Sequence, residues 1–98
     1  MAYELVAEPR AELGKEKCRK LRAANRLPGN VYGAPLTEAR AISFDLHTTE
    51  ILVKQHGKSA EYTLTLEGAT YPVRIEEIHF DPLTKRFEHL DLVVRNNG

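Results

Sequence analysis

The chain has 98 residues, 42% of them hydrophobic, and 14 basic side chains balance 14 acidic ones. That length supports one small domain with a modest core and excludes two. No apolar run approaches a membrane span, and the single cysteine, Cys18, excludes an internal disulfide or a cysteine metal cluster.

In chain order, Tyr3, Leu5 and Ala7 alternate with Glu4, Val6 and Glu8, which predicts a first strand ending at or near Pro9. The opening MAYELVAEPR lacks the charged lead-in and apolar stretch of a signal peptide, so a reduced, cytoplasmic location is expected. Gly14 breaks the pattern. Lys15 to Asn25 then predicts a short helix, with Cys18, Leu21 and Ala24 as a narrow apolar stripe. The helix is expected to stop before Leu27-Pro28-Gly29, and Asn30 to Gly33 to form a short strand. A loop follows, and Arg40 to Leu46 reads as a strand with Ile42, Phe44 and Leu46 on one face. Thr48 or Thr49 is expected to cap a second helix through Gln55, with Ile51 and Leu52 as its buried side. His56-Gly57-Lys58-Ser59 reads as a turn. Two alternating runs, Tyr62-Leu64-Leu66 and Tyr71-Val73-Ile75, flank Gly68-Ala69 and predict a hairpin. Pro82 marks another turn. Phe87 to Val94 predicts a last strand, with Leu90, Leu92 and Val94 on one face and His89 and Asp91 sharing the other. The expected fold is a small, mostly β, largely antiparallel six-stranded barrel with about two helices, occupying residues 1–98 as one domain.

The zero net charge hides an asymmetry. Arg10 to Arg26 holds seven basic residues (Arg10, Lys15, Lys17, Arg19, Lys20, Arg22, Arg26) against Glu12 and Glu16, a net +5, and the remainder is −5. Such separation lets one face meet a polyanion. A charged run can be simply a solvated helix face. Here bases dominate, with Glu16 alone placed to pair four residues on, at Lys20, and the run contains arginines, whose planar fork matches phosphates and base edges. Tyr32 follows at a strand end. It can stack on a base or reach a phosphate, or it can fill the core.

His89-Leu90-Asp91 could form an acid–base pair or part of a metal site, with His79 and Asp81 near. The four histidines lack HExxH-like spacing, which argues against zinc. No nucleophile elbow or phosphate-binding loop occurs, so the expectation is a protein without catalytic residues, metal ligands or cofactor.

Two separated blocks carry a wider resemblance. RAELGKEKCRKLRAANRLPGNVYG contains R-x-x-x-G-K and R-x-L-R-x-x-x-x-x-P-x-x-x-Y-G, and VRIEEIHFDPLTKRFEHLDLVV contains D-P followed by H-x-D. Together they resemble the bacterial ribosomal protein L-twenty-five family, called Ctc or TL-five in its longer forms, over essentially the whole chain. The resemblance implies a small β-barrel that binds loop E of 5S ribosomal RNA, largely through the minor groove, in the central protuberance of the large ribosomal subunit. It implies Arg10, Lys15, Arg19, Arg22, Tyr32, His89 and Asp91 as RNA contacts, to which Lys20, Glu76 and His79 are added. Many short members carry glutamine at the last two positions. Glu76 can only accept hydrogen bonds when ionised, whereas glutamine also donates. Long members carry a second C-terminal domain, so the short, single-domain form is expected, monomeric outside the ribosome and without membrane contact. The alternative is a stress-associated regulator or protein-binding module on the same fold with weakened RNA binding.

Overall fold

The computed structural model describes residues 2–9, 15–34, 36 and 38–95, with the backbone alone for 15–18. The elements are β1 (Tyr3–Pro9), α1 (Lys15–Ala23), β2 (Arg26–Tyr32), β3 (Arg40–Asp45), α2 (Leu46–His56), β4 (Tyr62–Leu66), β5 (Ala69–Phe80) and β6 (Phe87–Val94). The strands close into a barrel in the order β1-β3-β2-β6-β5-β4. Neighbours run antiparallel except at two joins, β1 with β4 and β2 with β6, which are parallel. The six-stranded barrel with two helices is the architecture that the alternation predicts. No helix is long and apolar enough to cross a membrane among the described residues.

Alternation fills the barrel. Leu5, Leu27, Val31, Ile42, Phe44, Tyr62, Leu64, Val73, Leu90 and Leu92 point inward and are at most 1% exposed, whereas Val6, on the outer face of β1, is 59% exposed. Burying a side chain of this size stabilises by about 1.5–3 kcal/mol before the entropy of ordering is charged against it. The β4–β5 hairpin closes through Glu67 and Gly68, both at positive φ (52° and 81°). That turn matches the right-handed twist of its strands.

The structure corrects two readings of the sequence. The helix expected through Asn25 ends at Ala23, Asn25 adopts a left-handed φ of 63°, and the strand expected from Asn30 already begins at Arg26. Asn25 tolerates that conformation, and its Oδ1 accepts from the His47 N–H (3.2 Å) while its carbonyl accepts from the Leu46 N–H (2.9 Å). Pro28 is tolerated because pairing with β6 begins only at Gly29, so that side of the strand is still a margin. Gly29 itself is required: an added Cβ would overlap the Leu90 carbonyl and stand 3.0 Å from Phe44 Cε2.

The second correction is the phase of α2. Asp45 is its N-cap, accepting the Thr48 N–H at 2.9 Å, in place of Thr48 or Thr49. The buried side is Leu46, Thr49, Glu50 and Val53; of the two residues expected there, Leu52 is half-buried against the core and Ile51 is 46% exposed. The phase is set by a charged residue at a core position. Glu50 is 5% exposed and accepts from the Phe87 N–H at 2.7 Å and from Arg86 Nε at 3.0 Å.

Candidate functional site

Strand β6 is the axis of the site. Its inner face packs Leu90, Leu92 and Val94, so His89 and Asp91 face outward together, as the period of two requires. His89 Nδ1 lies 3.0 Å from Asp91 Oδ1. At that separation from a carboxylate, Nδ1 carries the proton. Parallel pairing sets Asn30 of β2 beside Asp91, and Asn30 Nδ2 makes a long contact (3.5 Å) with the same oxygen. On the other flank, β5 sets Glu77 opposite Asp91 and His79 opposite His89. The two imidazole rings meet edge to face, with centroids 6.1 Å apart. His79 Nε2 is 3.4 Å from Glu77 Oε1.

A β-bulge makes this flank acidic. Ile75 lies opposite Leu92 and Glu77 opposite Asp91, so Glu76 is the extra residue. A bulge turns consecutive side chains onto one surface, and both Glu76 and Glu77 are exposed. Glu76 is 3.4 Å from Arg74 Nη2. Tyr32, the last residue of β2, is 37% exposed beside this group. Partial loss of solvent raises its phenol above the ordinary value. The charges of Glu76, Asp91 and Glu77 add to the rise, and Arg74 opposes it. The hydroxyl therefore stays protonated and can donate. A hollow of about 580 Å³ opens here, bordered by Asn30, Tyr32, Asp91, Glu38 and Arg40.

The opposite end of the strip is basic. α1 leads directly into β2, and Arg22 is half-buried there, with Nη1 donating to the Glu88 carbonyl at 3.2 Å. Arg19 and Lys20 remain exposed. Arg19, Arg22 and Arg86 border a second hollow of about 330 Å³. From Glu88 to Val93, the residue paired with Tyr32, the strip runs roughly 17 Å at the usual rise of an extended strand.

Comparison with known proteins decides the family. The model of the ribosomal L25p family matches residues 5–92. The chain belongs to the ribosomal L25p family. It is 35% identical over 97 residues to the large ribosomal subunit protein bL25 of Corynebacterium glutamicum strain R, covering 98% of this chain and 48% of that protein. It is also 35% identical over 95 residues to the protein of that name from Aeromonas salmonicida, covering 95% of this chain and 98% of the relative. A third relative so named, from Laribacter hongkongensis, is 35% identical over 92 residues, 93% of this chain and 49% of the relative. The chain thus spans about half the length of the first and third of these relatives and nearly all of the second.

Within this L25p barrel, the candidates from the sequence fall into groups. Arg19, Lys20 and Arg22 lie at one end of the strip, His79, His89 and Asp91 in its middle, and Tyr32 and Glu76 at the far end. Arg10 and the side chain of Lys15 lie outside the described residues. Asp81, expected near the histidine pair, instead closes the 81–86 loop by accepting the N–H groups of Leu83 (2.7 Å) and Thr84 (3.2 Å). Asn30, Glu77 and Arg86 belong to the site and escaped the sequence reading. Outward parity with Tyr32 was the available signal for Asn30. Nothing local marks the bulge that exposes Glu77.

Proposed function

We propose that this chain is a structural, non-catalytic protein of the large ribosomal subunit that binds 5S rRNA, at its loop E region in the central protuberance. The observation that carries this reading is the strip itself. Three separate elements bring arginines, a protonated tyrosine hydroxyl, a histidine and a supported aspartate onto one face. Family membership supports the same reading.

A-form RNA hides its major groove and offers hydroxyls and base edges in the minor groove. Arg19 and Lys20 would meet phosphates as free cations. Arg22, already tied to Glu88, would present its remaining donors from a fixed position. Asp91 repels phosphates and belongs on this face only if it accepts from a base, such as a guanine amino group. His89 holds one of its oxygens for that task. The reading also takes residues 1–98 as one domain, monomeric outside the ribosome and cytoplasmic.

A gel-shift comparison of 5S rRNA with an unrelated duplex of equal length tests the proposal. Preference for 5S rRNA is expected, and equal affinity would leave a generic basic patch. The exposed carboxylates of Glu76 and Glu77 favour one other reading, a regulator or protein-binding module with weakened RNA binding. Failure to co-sediment with large subunits would support it.

A further inference from the structure

Asp91, placed on the RNA-facing strip above, also belongs to a cluster of donor side chains across β5 and β6. We propose that Glu77, His79 and Asp91 form a binding site for a divalent transition-metal ion of the zinc class. One ligand atom from each of these side chains lies within 4.8 Å of the others. Two come from β5 at positions i and i+2, and the third from the facing residue of β6. Linear spacing motifs such as HExxH cannot detect a set assembled across a strand pair, which is why the histidine spacing argued against zinc.

The donor set selects the ion. Two carboxylates with an imidazole suit zinc and its first-row neighbours, whereas magnesium and calcium take oxygen ligands almost alone. Ligands about 2.0–2.2 Å from a tetrahedral ion stand about 3.4 Å apart. Glu77 Oε1 and His79 Nε2 are already 3.4 Å apart. Both side chains are more than half exposed, so they can swing toward Asp91 without disturbing the core.

Asp91 is the fixed member. Its side chain is 20% exposed, and His89 Nδ1 and Asn30 Nδ2 both hold Oδ1. Hydrogen bonds of this kind orient a ligating carboxylate and hold the other oxygen toward the ion. His89 is therefore a positioning residue, not a ligand. Three protein ligands leave a fourth position for water or an exogenous oxygen. The ion also cancels the charge of the two carboxylates, so the acidic middle of the strip becomes neutral. The site does not rest on the RNA reading, since the ion needs no RNA to bind.

The test is titration of zinc alone into metal-stripped, full-length protein, followed by calorimetry and by the imidazole signals in NMR. One ion per chain is expected, with His79 and His89 signals shifting and those of His47 and His56 staying in place. His79→Gln and Glu77→Gln should each weaken binding at least tenfold. His89→Ala, which removes support and no ligand, should weaken it by roughly 10–100-fold. His47→Gln should bind like the wild type. Equal concentrations of magnesium should not displace the zinc. Binding left intact in His79→Gln, shifts confined to His47 or His56, or displacement by magnesium would each overturn the site. The NMR readout on the unaltered chain decides even if a variant is poorly folded.

Discussion

The carboxylate of Glu50 on α2 accepts the backbone N–H of Phe87 at 2.7 Å, fixing the first residue of the strand that carries His89 and Asp91. Arg86 Nε adds a charged donor to both oxygens. Glu50→Gln keeps the shape and removes the charge. It should lower stability by about 1.5–3 kcal/mol, the range for a hydrogen bond to a charged group. Urea denaturation of the two proteins checks this, and an unchanged midpoint would mean that Glu50 is dispensable for anchoring β6.

Asp91→Asn separates a base reader from a bystander. If Asp91 accepts from a base, RNA binding should weaken by about 1–3 kcal/mol. The salt dependence should stay the same, because no cation–phosphate contact is lost. Titrations at two salt concentrations measure both quantities, and tighter binding by the variant would reject the role.

Arg19 and Arg22 should behave differently despite their shared charge. Arg19 is exposed, and Arg19→Ala should reduce the slope of log affinity against log salt by about one unit with little change in melting temperature. Arg22 ties α1 to β6 through the Glu88 carbonyl. Arg22→Ala should therefore reduce both the slope and the melting temperature. Identical melts for the two variants would deny the tether.

Acid should probe the α2 cap. The Thr48 N–H holds the Asp45 carboxyl below its ordinary value, with help from the Thr48 hydroxyl, Asn25 and Arg26. A carboxyl whose pKa is lower in the folded state stabilises fully above its unfolded value, near 3.8. It loses that contribution as pH falls through the folded value. Asn caps helices as well but does not titrate. Melting temperatures from about pH 5 to 2.5 should fall less steeply for Asp45→Asn than for the wild type. Parallel curves would show that the cap is insensitive to charge.

Strands were the legible part of this sequence because each inner face follows a period of two, as in Leu90-Leu92-Val94. The His89–Asp91 pair came from the same rule. The phase of α2 was hidden because a buried glutamate stands where a hydrophobic residue is expected, and its partners lie 36 and 37 residues away. Leu27-Pro28-Gly29 has the composition of a turn, yet the barrel uses its small glycine for close approach to β6. For Asn30 the sequence held only its outward parity with Tyr32, and for Glu77 it held no signal. Their contact with Asp91 depends on which strands become neighbours and on a bulge, and neither is encoded in adjacent residues.

Closure of the barrel restricts how this protein can hold anything. With β1 hydrogen-bonded to both β3 and β4, none of the described strands is an edge. Among the described residues no whole strand stands open for a partner to extend the sheet, one of the commonest routes by which a peptide is captured. The same closure denies neighbouring copies the template for sheet-to-sheet aggregation. Recognition on the described barrel therefore falls to outward side chains, and exchanging a few of them can change the ligand while the backbone stays as it is.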